Sequence, residues 1–309
     1  MPRNPDAPPL DRAIPSRRLA AFTGTVALVL ALIGVGACYL MARPSGEFHS
    51  VAKPSSKPIS PSIPPAAPAP VNLPVVDYDH APAGFPADPT PALTNWLTTG
   101  LHPLTRVAAY DAVGGKPLAF LPPNIRGAKL TAPITETLDG WVSVLLPSTN
   151  RTVAWVPPGN WTTVPLQDEL IVVRKTHRLM WLRNGSMVAS WEVSLGLPRS
   201  PTPLGRTFVL GRSKLKGHVY ANTDVFALGA VPDNPGAIHK GLLGAHTGIH
   251  TWYHDRELGK NTTDGCIRLT KSGQQQLLSE IMPGTSVIIV DSLPAPASTT
   301  EATATPPTG

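Results

Sequence analysis

Two short stretches, HTGIHTWYH at residues 246–254 and TDGCIRL at residues 263–269, carry most of the information in this chain. The second contains Cys266, whose polar neighbours Asp264 and Arg268 are more typical of an exposed turn than of an apolar interior. A thiol has an ordinary pKa of about 8.5, so at neutral pH it needs a nearby imidazole to take its proton or to stabilise the thiolate. We therefore interpret Cys266 as a nucleophile, with a buried structural cysteine as the alternative.

The histidines of the first stretch permit two arrangements. The glycine and threonine between them disfavour a helix, so the sequence predicts a strand over Leu242–Trp252, in which His246 and His250 share one face. The alternative is a helix that places these two and His254 at four-residue spacing, where with the thiol they would form a tetrahedral zinc site. Because the intervening sequence is a poor helix former, we favour the strand and expect neither a metal nor another cofactor.

Both stretches lie in a β-rich region, residues 168–291, which is predicted to fold as a β-sandwich or irregular barrel. Apolar runs bounded by turn residues predict its strands, and Asn184-Gly185 is a strong two-residue hairpin signal. The predicted strands are Leu170–Val173, Leu179–Leu182, Val188–Val193, Arg206–Leu210 and Val287–Val290. A helix is predicted over Ser272–Ile281, since Pro283-Gly284 follows as a stop signal.

A smaller all-β unit, residues 99–165, is predicted before this region. Short apolar runs there alternate with turn residues, and the triplets Gly140-Trp141-Val142 and Ala154-Trp155-Val156 stand out. The unit resembles the bacterial Src-homology-type barrels that are appended to cell-wall enzymes. This resemblance makes the barrel a candidate module for binding the cell wall.

Proline content separates these folded units from their surroundings. The chain has 37 prolines in 309 residues, and 13 of them fall within residues 44–91. Such a segment cannot build a hydrophobic core, so residues 43–98 are predicted to form an extended, semi-rigid spacer. The tail, residues 292–309, is rich in Pro, Thr and Ala and is predicted to be disordered.

An apolar segment near the N-terminus predicts export. Residues 19–42 carry no charge and would span about 36 Å as a helix, enough to cross a bilayer. The arginines before it place residues 1–18 in the cytoplasm and the remainder outside. Two alternatives are a lipoprotein signal, in which Cys38 becomes lipid-modified, and a cleaved signal peptide. All three put the folded part on the extracytoplasmic side, where Cys266 has no second thiol with which to close an internal disulfide.

The net charge argues against one class of partner. A formal charge of +6 is mild for this length, and the Lys and Arg residues are scattered along the chain. A dedicated nucleic-acid-binding protein is therefore not expected. Attraction to an anionic polymer or surface remains open.

The TDGCIRL motif, with His250 placed 16 residues before Cys266, resembles the signature of the L,D-transpeptidase catalytic domains of bacterial envelopes. That signature has a His, a spacer and then Ser/Thr-His-Gly-Cys-hydrophobic-Arg. The predicted hairpin and the TPLG segment at residues 202–205 are also similar to this family, so the resemblance covers roughly residues 168–291. Two positions depart from it: Asp264 stands where the family usually has His, and Thr251 stands where a Gly usually follows the upstream His.

The resemblance implies Cys266 as the nucleophile and His250 as its proton acceptor, with the backbone carbonyl of Thr251 orienting the imidazole. The backbone N–H groups of Gly265 and Cys266 are expected to be oxyanion donors, because a glycine before the nucleophile lets a carbonyl approach the main chain closely.

Three further residues are candidates for substrate binding. Arg268 is expected either to bind a substrate carboxylate or to pin its loop. His246 either lines the pocket or is a buried structural histidine. Asp264 occupies the position of the family's histidine, so whatever that histidine contributes to substrate placement is in doubt.

The reaction implied by the resemblance is acyl transfer on peptidoglycan stem peptides, with one stem as donor and a second as acceptor. A cysteine thioester would link the two half-reactions and give 3→3 cross-links. The alternatives are a carboxypeptidase that uses water as acceptor and a non-catalytic wall-binding protein that has lost activity through the change at Asp264.

Overall fold

The computed structural model describes residues 63–214, 220 and 222–293, and this part of the chain is mostly β, as predicted. The predicted membrane segment, Cys38 and nearly all of the predicted tail lie outside the described residues. Within those residues, no helix is both long and apolar enough to cross a membrane.

Residues 99–165 form a seven-stranded antiparallel sheet with an added small hairpin. The strands of the sheet are β1 (Thr99–Pro103), β2 (Val107–Tyr110), β3 (Pro117–Leu121), β6 (Ala132–Leu138), β7 (Trp141–Leu145), β8 (Val153–Val156) and β9 (Trp161–Pro165), and the hairpin consists of β4 (Asn124–Ile125) and β5 (Ala128–Lys129). Their order in the sheet is β3-β2-β8-β7-β6-β1-β9. Trp141 is fully buried in the core of this unit.

Residues 168–290 form an eight-stranded mixed sheet that packs against one helix. The elements of this region are β10 (Asp168–Val173), β11 (Arg178–Arg183), β12 (Ser186–Glu192), β13 (Leu195–Gly196), β14 (Gly205–Ser213), β15 (Val225–Leu228), β16 (Gly248–His250), β17 (Asn261–Thr263), β18 (Ile267–Arg268), α1 (Lys271–Glu280) and β19 (Ser286–Val290). The order in the large sheet is β12-β11-β10-β19-β14-β15-β16-β18, while β13 and β17 form a separate pair.

Several predicted elements are confirmed. Asn184 and Gly185 connect β11 to β12 with φ angles of 50° and 75°, the positive values that a type I′ hairpin turn requires. The helix predicted over Ser272–Ile281 is α1, and the Thr270 side chain caps it by accepting a hydrogen bond from the Gly273 N–H.

The long strand predicted over Leu242–Trp252 is wrong in its extent. The structure has a 3₁₀ turn at Lys240–Leu242, an irregular loop, and then only the three residues of β16. Gly244, with a φ of 78°, has a backbone conformation that a strand does not adopt. The first half of the predicted strand is therefore a loop that leads into β16.

The structure contradicts the predicted spacer from Ile63 onward. Residues 63–98, which we call the strap, lie against both sheets, and their side chains Val76, Phe85 and Leu97 are buried in the first core. Asp88 is also buried, where it pairs with Arg206 of β14. A proline-rich segment cannot build its own core, but it can add side chains to a core that other strands provide.

The two sheets have separate main cores with one point of continuity. Phe208 and Leu210 of β14 are buried among the residues of the first sheet. The second core lies between the large sheet and α1, where Leu170 and Leu277 are fully buried. The strand that carries His250 lies near the edge of the large sheet, next to β18.

Candidate active site

Two adjacent strands bring the motif residues together. β16 and β18 pair in parallel, with Ile249 opposite Ile267 and His250 opposite Arg268. Cys266 immediately precedes β18, so its side chain lies beside the start of β16. The 16-residue gap between His250 and Cys266 is thus closed by strand pairing.

Gly248 contacts both reactive side chains. Its backbone makes a hydrogen bond to the Cys266 thiol. The Cδ2 atom of His250 lies 3.9 Å from the point where a Cβ at residue 248 would stand. That Cβ would also lie only 3.1 Å from the Phe226 carbonyl oxygen and from a methyl of Val225, so a side chain here would crowd both groups. Thiol and imidazole therefore border the same backbone position.

A backbone carbonyl orients the imidazole of His250. Its Nδ1 lies 2.6 Å from the Thr251 carbonyl oxygen, so the predicted contact is present. A carbonyl only accepts hydrogen bonds, so Nδ1 carries the proton and Nε2 is the basic nitrogen. Burial lowers the pKa of His250 to about 4, against the raising effect of the Thr251 hydrogen bond. The ring is therefore neutral, and able to accept a proton, at neutral pH.

The Cys266 thiol is half-buried, and burial raises its pKa. The hydrogen bond from Gly248 and the charge of Arg268 act in the opposite direction, whereas the carboxylate of Asp264 raises the pKa further. The resting pair is thus a neutral thiol beside a neutral imidazole. A proton must move from sulfur to nitrogen as the sulfur attacks.

The turn before Cys266 is held by the hydroxyl of Thr263. Gly265 has a φ of 109°, a value that strongly favours glycine. Its N–H donates to Thr263 Oγ1 at 3.2 Å, and Thr263 Oγ1 donates to the Cys266 carbonyl oxygen at 2.6 Å. The expectation that the Gly265 N–H serves as an oxyanion donor is therefore wrong for this conformation, because that donor is already used by Thr263.

Arg268 is tied to its own loop. Its Nη1 donates to Glu257 Oε2 at 3.1 Å, and the guanidinium carbon lies 3.7 Å from the centre of the Trp252 ring. The side chain is largely buried. Of the two roles expected for Arg268, these contacts favour pinning the loop, and its positive charge also acts on the Cys266 thiol.

Asp264 connects three segments at the rim of the site. Its Oδ1 pairs with Nη2 of Arg199 at 3.2 Å, and its Oδ2 accepts from the His239 N–H at 3.4 Å. Its backbone carbonyl accepts a hydrogen bond from the Ser200 hydroxyl at 3.1 Å. At the position where the signature resembled by this motif has a histidine, this chain places an ion pair between Asp264 and an exposed arginine.

His246 is buried, but its contacts lie away from the thiol. Its imidazole stacks on Tyr78 of the strap, and its two nitrogens face the backbone carbonyl oxygens of Leu228 and Tyr78. Of the two roles expected for His246, these contacts favour the structural one.

The zinc arrangement is also contradicted, since His246, His250 and His254 lie in a loop, a strand and another loop rather than on one helix. Over the described ranges, no cluster of His, Cys, Asp and Glu is positioned to hold a metal ion.

Several residues that frame the site were not predicted from the sequence. The Tyr220 ring lies 5.2 Å from the His250 ring, edge to face, and its carbonyl accepts from Thr251 Oγ1 at 2.6 Å. Gln274 of α1 is fully buried and donates to the Ile249 carbonyl oxygen at 3.1 Å. Neither belongs to the motif. The signal that could have identified Gln274 is its position, since it is a polar residue on the side of α1 that faces the sheet.

Residues 167–289 match the family model described as the YkuD L,D-transpeptidase catalytic domain. The family resemblance is confirmed for this part of the chain. A Bacillus subtilis protein with the printed name "Putative L,D-transpeptidase YqjB" is 28% identical over 134 residues, which are 41% of this chain and 74% of that protein. These findings support an enzyme of the transpeptidase kind.

Solved structures of the same kind are similar at low identity. An L,D-transpeptidase from Mycobacterium smegmatis is 15% identical, with a TM-score of 0.34, over 52% of this chain and 82% of that one. L,D-transpeptidase 3 from Mycobacterium tuberculosis, in complex with a faropenem-derived adduct, is also 15% identical, with a TM-score of 0.33, over 51% and 78% of the two chains.

Proposed function

We propose that this protein is an L,D-transpeptidase that works through a thioester on Cys266. The observation that carries the proposal is the shared border at Gly248, whose backbone hydrogen-bonds to the Cys266 thiol and whose Cβ position lies 3.9 Å from Cδ2 of His250. A neutral thiol with a raised pKa beside a neutral imidazole with a lowered one is suited to proton transfer during attack rather than to a standing ion pair.

In the first half-reaction, the sulfur of Cys266 attacks the carbonyl carbon of the third residue in a tetrapeptide stem. Its proton passes to Nε2 of His250, and the negative charge that develops on the carbonyl oxygen is stabilised by the Cys266 N–H. The C–N bond to the terminal D-alanine breaks, and His250 returns the proton to the departing amine. A thioester and free D-alanine are the products.

In the second half-reaction, a side-chain amine of another stem attacks the thioester carbonyl. His250 takes a proton from that amine, the C–S bond breaks, and the sulfur recovers the proton. The new amide joins the third residues of two stems, a 3→3 cross-link. The stems lie outside the cytoplasmic membrane, so this reaction requires the exported position predicted from residues 19–42.

The test is to supply the full-length chain with purified tetrapeptide stems and to follow the products by mass spectrometry. We expect a cross-linked dimer that has lost one D-alanine, absent with Cys266→Ala. If tripeptide accumulates without dimer, the acceptor is water and the carboxypeptidase alternative replaces transpeptidation. If neither product forms with folded protein, the wall-binding alternative replaces both.

A further inference from the structure

The loop that leads into β16 is fixed by the strap. Tyr78 stacks on His246 of this loop, with ring centroids 3.9 Å apart and an angle of 26° between the planes. The guanidinium of Arg126, from the hairpin of β4 and β5, lies 4.2 Å from the centre of the Tyr78 ring and pairs with Asp79 at 2.7 Å. Tyr78 thus contacts an arginine of the β4–β5 hairpin and a histidine of the loop that leads into β16.

Ser148 of the first unit also contacts both the strap and the large sheet near Tyr78. Its hydroxyl lies 2.6 Å from the Asp77 carbonyl oxygen and 2.9 Å from that of Tyr78. Its N–H donates to the Gly229 carbonyl oxygen, at the end of β15, at 2.9 Å. The strap, the first unit and the large sheet therefore meet at one junction, which we define as Asp77, Tyr78, Ser148 and His246.

A short covalent path leads from this junction to the thiol. The imidazole of His246 contacts the Leu228 carbonyl oxygen, and the next residue, Thr247, donates its N–H to the Ala230 carbonyl oxygen at 2.9 Å. The residue after that is Gly248, which hydrogen-bonds to the Cys266 thiol. A displacement of His246 is thus transmitted within two residues to the backbone that the reacting groups share.

We propose that Tyr78 is a positioning residue for the catalytic strand. By holding His246, it fixes Gly248 at the distance from Cys266 that the thiol hydrogen bond needs and keeps His250 over the same backbone position. The strap is then a part of the enzyme and not only a tether. The inference rests on the proposed function for its effect on catalysis, but its effect on thiol reactivity does not depend on any substrate.

The test compares Tyr78→Ala with Trp96→Ala in the full-length chain. Trp96 is a second half-buried aromatic of the strap, and its Nε1 donates to the Leu166 carbonyl oxygen at 3.2 Å, away from the junction. Two rates are measured: acylation of Cys266 by a carbapenem, and alkylation of Cys266 by iodoacetamide as a function of pH.

We expect Tyr78→Ala to slow acylation at least tenfold and to displace the alkylation profile to higher pH, since the thiol loses the Gly248 hydrogen bond. Tyr78→Phe keeps the stacked ring and loses only the 3.5 Å contact between the His246 N–H and the Tyr78 hydroxyl, so both rates should stay close to those of the wild type. Trp96→Ala should change neither rate more than twofold. An equal effect of both alanine variants, or an unchanged Tyr78→Ala, would overturn the proposal.

Two further measurements keep these outcomes separable. Should Tyr78→Ala fail to fold, Ser148→Ala removes the hydroxyl that the Asp77 and Tyr78 carbonyl oxygens share, and with it the 3.4 Å contact to His246 Nε2. This variant keeps the Tyr78 ring, and we expect a smaller displacement in the same direction. An unchanged profile in that variant would also count against the proposal. If the wild-type chain is not acylated at all, the proposed function fails, yet the alkylation profile still decides whether Tyr78 positions the thiol.

Discussion

The paired strands β16 and β18 and the strap serve the same site but differ in how they are encoded. The strands carry residue types that chemistry requires at fixed, short spacing, so a thiol and an imidazole 16 residues apart point to a reaction before any fold is known. The strap carries no such motif, and its decisive contacts join residues 118 and 168 positions apart. The reactive residues of a site can be predicted from a motif. The packing of the strap against the two sheets depends on surfaces that come together only in the folded chain.

The largest effect on the reaction rate should come from His250→Ala, a change in the strand β16. Loss of the general base should reduce the rate of Cys266 acylation by roughly 10²–10⁴-fold, with little change in folding. Because the pKa of His250 is lowered to about 4, the wild-type rate should persist as the pH falls to about 5 and decline only near pH 4, when the ring becomes protonated. Stopped-flow acylation across pH measures both. A decline centred near pH 6.5 would contradict the buried, neutral imidazole.

Substitutions in the strap should instead have their largest effect on the stability of the fold. Both side chains of the Asp88–Arg206 pair are almost completely buried, with Oδ1 and Nη2 2.6 Å apart. Asp88→Ala leaves a buried guanidinium without its partner, so we expect the free energy of unfolding to fall by roughly 3–5 kcal/mol in urea denaturation.

The matched control is Asp79→Ala, which breaks the exposed ion pair to Arg126 and should cost less than about 1 kcal/mol. If Asp88→Ala costs no more than that control, the strap is not docked in solution and the prediction of a spacer was right.

Glu169 of β10 provides a pH-dependent test of the large sheet itself. Its carboxyl group is buried, one of its oxygens has no hydrogen-bond partner among the described residues, and burial raises its pKa to about 7. Between the unfolded pKa, near 4.5, and about 7, the folded state holds a proton that the unfolded state has released. Stability from this group is therefore full below pH 4.5 and declines as the pH rises through 7.

Glu169→Gln removes this dependence. It should be more stable than wild type by on the order of 3 kcal/mol at pH 8 and equal to it near pH 4. Urea denaturation at the two pH values measures the difference. A constant difference between the two proteins would show that Glu169 does not change its charge on folding.

The smallest effects are expected at the rim of the site, at Asp264. Asp264 raises the pKa of Cys266, so Asp264→Asn should increase the alkylation rate at neutral pH by a few-fold. Arg199→Ala removes the partner that offsets this carboxylate and should decrease the rate by a similar factor. Alkylation kinetics at low salt measure both, and changes in the same direction would show that charge is not the cause.

The same distinction explains which predictions succeeded. Asn184-Gly185 and the run that forms α1 encode local geometry, and both elements appear where the sequence placed them. His246 was expected to face the same pocket as His250 because the two residues lie on the same side of a predicted strand. Instead, its ring stacks on Tyr78, which lies 168 positions earlier in the chain. The Gly265 N–H was predicted as an oxyanion donor, whereas a hydroxyl two residues earlier uses it. In each error, a contact outside the local pattern decided the outcome.

The central claim is that Cys266 becomes acylated in spite of the change at Asp264. The most direct measurement is the intact mass of the full-length chain after incubation with a carbapenem, beside Cys266→Ala under the same conditions. The account predicts a single covalent adduct on the wild-type chain and none on the variant, with the modified peptide containing residue 266. An unmodified wild-type chain that is demonstrably folded, or an adduct that persists in Cys266→Ala, would contradict it.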